Sequence, residues 1–135
     1  FQVDPRSGVP VYKQIMEQVK FYRASGVLRP GEQLPSIRAL ARTLSVNPTT
    51  VVKAYNELRH EGVVELWQGR GVFLAPLPPG GEAGLKEEAL LPLARQLAER
   101  AAQLGLSPAQ AAALVRRNWP SAQSSPAGKK GKKGA

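Results

Sequence analysis

The stretch LSVNPTTVVKAYNELRHEG, Leu44 to Gly62, contains a turn, a helix start, an amphipathic helix and a stop signal. Asn47 followed by Pro48 marks the start: an asparagine oxygen accepts from the first unpaired amides, and proline suits the first helical position. Val51, Ala54, Tyr55 and Leu58 then recur at the spacing of one buried helical face, and Gly62 closes the helix. Thr49, Val52, Lys53 and Asn56 fall on the opposite face or its margin. Small polar residues at a helix mouth let the backbone approach a partner closely. Free amides and the positive end of the helix dipole favour an anion there, so Thr49 and Thr50 are candidates to hold a phosphate, with Lys53 adding charge one turn later. Taken singly, the same residues also fit a plainer role: Thr50 as a cap, Lys53 as a solvated cation and Pro48 as a helix starter.

The flanking sequence adds weight to the first reading. Upstream, Pro10 opens a helix with Tyr12, Ile15, Val19 and Tyr22 on one face, and Gly26 ends it. After the turn Leu28-Arg29-Pro30-Gly31, Ser36 caps a short second helix that turns Ile37, Leu40, Ala41 and Leu44 inward and Arg38 and Arg42 outward. Ser45-Val46 connects it to the third helix. Downstream, Val63–Trp67 and Gly71–Leu74 read as two strands of a hairpin whose tip is Gln68-Gly69-Arg70. Helix, helix, turn, helix, hairpin is the order of a winged helix-turn-helix. Arg38, the mouth at Asn47 to Lys53 and the hairpin tip would then project from one side. A glycine and an arginine at a wing tip suit a minor groove, although an ordinary exposed hairpin turn has the same composition.

The chain has 135 residues, 19 Lys and Arg against 10 Asp and Glu, and a net charge of +9, which favours a polyanionic partner. Residues 1–76 and 121–135 each carry +4, and the segment between carries +1. There is no cysteine, hence no disulfide framework or thiolate metal site. No apolar run approaches the roughly 20 residues of a membrane span, and the amino terminus does not read as a signal peptide, so a cytoplasmic location is expected. Pro76-Leu77-Pro78-Pro79-Gly80-Gly81 cannot continue a helix or a central strand. The expected organisation is therefore a winged domain over 1–75, a linker over 76–81, a two-helix segment over 82–119 and a disordered Lys-rich tail over 120–135. The fold class is α+β, mostly helical: an N-terminal winged helix-turn-helix followed by a short C-terminal helical dimerisation segment.

In that second segment Leu90, Ala94, Leu97, Ala101 and Leu104 step by four and three, with Leu93 beside them; Gly105 stops the helix, and Ser107-Pro108 starts another with Ala112, Val115 and Trp119 on its apolar side. Two helices of this length do not enclose a core alone, since chains below roughly 40 residues usually need outside support. A second copy supplies it, and a symmetric dimer offers two recognition helices to two half-sites. The alternative is an intrachain helical hairpin packed on the first domain. The candidate dimerisation residues are Leu90, Leu93, Ala94, Leu97, Ala101, Leu104 and Val115.

Pro10-Val11-Tyr12-Lys13-Gln14-Ile15, Gly26–Gly31, Leu34-Pro35-Ser36-Ile37-Arg38, Leu40-Ala41, Val46–Val51, Lys53-Ala54-Tyr55, Leu58, Glu61-Gly62 and Gly69-Arg70-Gly71 together resemble the amino-terminal domain of GntR-family bacterial transcription regulators. The resemblance covers about residues 9–75, and the short second segment is similar to that of the YtrA-like subfamily. It implies operator contacts by Arg38, Thr49, Thr50, Gln68, Gly69 and Arg70, dimerisation through the two-helix segment, and repression. Other branches of the family often carry a basic residue where this chain has Pro48.

The candidate DNA-binding residues are thus Arg38, Asn47, Pro48, Thr49, Thr50, Lys53, Gln68, Gly69 and Arg70. The expected activity is sequence-specific binding of a homodimer to an inverted-repeat operator in double-stranded DNA. A protein-interaction winged-helix module and a nonspecific architectural DNA binder are the alternatives. No enzymatic constellation is visible: His60 is the one histidine and has no ligating companions. No cofactor, metal or membrane partner is expected, and fewer than forty residues are not expected to wall off a dedicated effector pocket.

Overall fold

A computed structural model describes residues 1–121. Seven elements follow in order: α1 (Val11–Ser25), α2 (Ile37–Leu44), α3 (Pro48–His60), β1 (Val64–Trp67), β2 (Gly71–Leu74), α4 (Gly81–Gln103) and α5 (Pro108–Arg117). The described residues divide into two compact units, the first from Phe1 to Pro92 and the second beginning at Leu93.

Local chemistry sets the helix limits in the first unit. Ser36 Oγ accepts from the Ala39 amide at 3.1 Å, and Asn47 Oδ1 accepts from the Thr49 amide at 2.9 Å. Each cap contributes about 1 kcal/mol. Gly26 ends α1 in the left-handed region at φ 84°, which costs a glycine little. Ser45 ends α2 there too, at φ 56°, the one non-glycine with positive φ among the described residues. This turn between α2 and α3 is sealed by the Val46 amide bonding the Ala41 carbonyl at 3.0 Å.

The core joins three helices and the hairpin: Ile15, Met16 and Val19 from α1, Leu40 and Ala41 from α2, Val51, Ala54, Tyr55 and Leu58 from α3, and Val63, Val64 and Leu74 beside them. All four residues expected on the inner face of α3 are buried. On α1, Ile15 and Val19 are buried, whereas Tyr12 is only partly covered. Tyr55 reconciles its hydroxyl with burial by donating to the Pro35 carbonyl at 2.7 Å, and that burial holds the phenol protonated well above its ordinary range.

The hairpin is antiparallel, with Val64 opposite Leu74 and Trp67 opposite Gly71. Beyond the two expected strands, the segment after Gly31 lines the free edge of β2. Gln33 bridges Phe73, the Leu34 amide bonds Val72 and the Leu74 amide bonds Glu32, both at 2.8 Å. A strap ahead of α1 also exceeds the sequence expectation. Gln14 takes the Asp4 amide at 2.7 Å and donates to the Asp4 and Val9 carbonyls, Gln18 clasps Gln2, and Phe1 meets Tyr22 edge to face at 5.3 Å.

Within the first unit, the start of α4 is fixed by the buried Leu85 and by Glu88, whose carboxylate lies 2.7 Å from Arg23 on α1. Pro92 sits inside α4. Having no amide hydrogen, it leaves the carbonyl four residues earlier without its helical donor. The unit boundary falls there, well beyond residue 75, so the opening turns of α4 pack with the winged part. In the second unit, Ser107 and Gln110 form a reciprocal capping box at the start of α5.

Candidate nucleic-acid interface

The mouth of α3 is built by Asn47. Its Oδ1 accepts two hydrogen bonds, from the Thr49 amide at 2.9 Å and from the Thr49 hydroxyl at 2.8 Å, while its carbonyl takes the Thr50 amide at 2.9 Å. Pro48 has no amide to offer. The free amides expected at this entrance are therefore already occupied, because the asparagine cap and the first turn consume them. With its hydrogen given to Asn47, the Thr49 hydroxyl is left to act as an acceptor. Thr50 is half-buried, and Asn47, Pro48, Thr49 and Lys53 are exposed.

Lys53 does not wave freely from the helix. Its Nζ stands 4.6 Å from the ring centroid of Tyr12 on α1, a cation–π contact that restrains the cation without neutralising it. The wing tip is held in a comparable way. Arg70 lies 5.6 Å from the Trp67 ring, and Trp67 is stacked on Phe73 at 4.5 Å. From the other side, Gln33 Nε2 donates to the Arg70 carbonyl at 2.8 Å. Gln68 and Gly69 complete the exposed turn, with Gly69 at φ 74°.

Arg38 is exposed on the first turn of α2. Its neighbour Ile37 lines a shallow groove of about 100 Å³ together with Val52, Asn56 and Arg59 of α3 and Leu66 and Val72 of the wing. The start of α2, the outer face of α3 and the hairpin therefore border one depression. Arg59 and Leu66 are absent from the sequence-based set of site residues. Arg59 resembles any solvated arginine in the last turn of a helix, and only the packing of the hairpin beside α3 reveals its place.

In the second unit, Ala101 is 6% exposed, covered within the unit itself. Leu93, Leu97 and Val115 are exposed, Leu104 is 79% exposed and Ala94 is open. Leu90, at the end of the first unit, is also exposed. Between the second half of α4 and α5 runs an apolar groove of about 310 Å³, with Leu97, Ala101, Leu106 and Val115 among its lining. The Lys-rich segment and its expected disorder lie outside the described residues, apart from Pro120 and Ser121. Among the described residues no cluster of His, Cys, Asp or Glu is arranged to hold a metal ion, and no helix is long and apolar enough to cross a membrane.

A family model described as "Bacterial regulatory proteins, gntR family" matches residues 11–74. The HTH-type transcriptional repressor YtrA of Bacillus subtilis (strain 168) is 47% identical over 74 residues, which cover 55% of this chain and 57% of that protein. The match thus spans little more than half of that curated relative. Among solved structures, YtrA from Sulfolobus acidocaldarius, described as a GntR-family transcription factor, is 34% identical with a TM-score of 0.55, covering 87% of this chain and 94% of that one. The DNA-binding domain of AraR, solved in complex with operator ORX1, is 26% identical with a TM-score of 0.51, covering 56% of this chain and 95% of that one.

Proposed function

This chain belongs to the GntR family, whose members here are transcription regulators and not enzymes, and from that premise we propose that it is a cytoplasmic, sequence-specific DNA-binding repressor. The observation that carries the reading is the shared depression: α2, the outer face of α3 and the wing border one groove, with Arg38, Lys53, Arg59 and Arg70 exposed on the same three elements. In the proposed complex α3 enters the major groove mouth first. Lys53 and Arg38 meet phosphate or base edges, and the tip Gln68-Gly69-Arg70 reaches the adjacent minor groove. Asn47 and Pro48 shape the mouth, and Thr49 and Thr50 lie against the duplex. That the similar AraR DNA-binding domain was solved in complex with an operator supports operator DNA as the partner.

The protein works as a homodimer on an inverted repeat. Residues 1–75 form the reading head, 76–81 the connection and 82–119 the pairing segment. The exposed apolar side chains Leu90, Leu93, Leu97, Leu104 and Val115 support pairing through this segment, since apolar side chains left in water are unfavourable and a second copy covers them. Ala94 and Ala101 allow close helix approach in the same segment. No effector is assigned to the α4–α5 groove.

The test is binding of a duplex obtained by selection from random sequence, followed by fluorescence anisotropy in fixed salt. Arg38→Ala should weaken the selected duplex by about 1–3 kcal/mol without changing the thermal midpoint. Equal affinity of wild type and variant would remove Arg38 from the interface, and absence of any selected sequence would remove the function.

A further inference from the structure

Val52 is an aliphatic side chain standing 37% exposed on the outer face of α3, between Thr49 one turn before and Asn56 one turn after. Leu66, 56% exposed on β1, lines the same depression. Neither residue belongs to the core cluster, Arg59 lines the groove with them, and Lys53 and Arg70 are exposed on the same helix and hairpin. Exposed apolar side chains beside an arginine, on a face that carries further exposed cations, match a polyanion that carries apolar groups. In the major groove of a duplex the apolar group offered by a base edge is the C5 methyl of thymine.

We propose that Val52 is a specificity-determining residue that reads thymine methyls in the operator half-site. This deepens, and rests on, the DNA-binding reading above. The neighbouring Thr49 fits the same base pair. Its hydroxyl hydrogen is given to Asn47 Oδ1 at 2.8 Å, so it meets the duplex as an acceptor, and adenine N6, the amino group paired with thymine, is a donor. Cytosine also offers an amino donor but has no methyl. Acceptor and aliphatic contact side by side therefore favour T·A over C·G.

The experiment uses the full chain and the duplex selected from random sequence. Each thymine of one half-site is replaced in turn by deoxyuridine, which deletes the methyl and leaves every hydrogen-bonding group in place. Removing a methyl from a desolvated contact should weaken binding about four-fold at one or two positions. With Val52→Ala, checked for an unchanged thermal midpoint, the same replacements should change affinity less than two-fold. The proposal is overturned alone if the selected half-site contains no thymine, if every thymine is replaceable in the wild type, or if the penalty persists undiminished in Val52→Ala. A selection that returns no motif overturns it together with the reading it rests on.

Discussion

Replacing Glu88 by alanine removes the acceptor facing a guanidinium that has almost no access to water. Arg23 is 7% exposed, its Nη2 lies 2.7 Å from Glu88 Oε1, and its Nε has no partner of its own. Lys20, 4.0 Å from the other Glu88 oxygen, keeps a second carboxylate in Glu61 and so retains its charge balance. Removing one partner of a fully buried ion pair costs about 3–5 kcal/mol. The Glu88 side chain is 41% exposed, so water replaces part of what is lost, and a cost of about 2 kcal/mol is expected. Arg23→Met alone leaves a carboxylate that water can reach and should cost less. The double variant, with neither charge, should be more stable than Glu88→Ala alone, because the stranded cation is gone. Urea unfolding at one fixed protein concentration measures all four, with the slope checked for constancy. A loss below about 0.5 kcal/mol for Glu88→Ala, or strictly additive single effects, would refute the claim that this pair fixes the start of α4 on α1.

Tyr55→Phe leaves the Pro35 carbonyl without its donor and should cost about 1–2 kcal/mol at neutral pH in the same urea assay. The wild-type phenol stays protonated when folded and ionises from about pH 10 when unfolded. Its contribution to stability is therefore complete below pH 10 and declines above it, and a series of urea midpoints should show this decline in the wild type and lose that component in the phenylalanine variant. Gly71→Ala puts a side chain at φ 125°, where only glycine is at ease, and pushes the Gln33 amide off the Arg70 carbonyl; a cost of about 1–3 kcal/mol and faster amide exchange across the hairpin are expected, with unchanged exchange contradicting a strained backbone at this position. Ser45→Gly relieves the left-handed residue in the turn before α3 and should raise stability by about 0.5 kcal/mol, whereas a fall would show that the serine is not strained there. Lys53→Ala should reduce the salt slope of DNA binding by about one, and an unchanged slope would place Lys53 away from phosphate.

The three helices and the hairpin of the winged part are legible in sequence because their signals are local. Ser36, Asn47-Pro48 and Gly26 sit within a residue of the boundaries they set, and the inner face of α3 needs only helical spacing. What sequence leaves hidden depends on groups that are distant along the chain and equally content in water. Gln14, Gln18 and Gln33 look like solvated amides until the strap and the edge of β2 arrive beside them. Arg23 and Glu88 are 65 residues apart, so no periodicity announces their meeting. Pro92 is visible in the sequence but is masked by the leucine spacing around it, which a helix-only reading follows straight through. At the site, the polar mouth of α3 is legible, whereas the occupied amides are not: whether Asn47 turns its oxygen inward is settled by side-chain geometry. Leu66 escapes for the opposite reason, since an apolar strand residue reads as core until its exposure is seen, whereas helical spacing already turns Val52 outward and only the hairpin beside it shows what it faces.

In the proposed function, one polar and cationic face of a winged domain, doubled by pairing, recognises a defined DNA sequence. The most direct measurement is selection of bound duplexes from a random pool by the purified full chain, scored for an enriched motif and its symmetry. Two copies of one short motif in inverted orientation, bound with two chains per duplex, are predicted. A pool that stays random after repeated rounds, or a single unrepeated motif bound by one chain, would contradict the account.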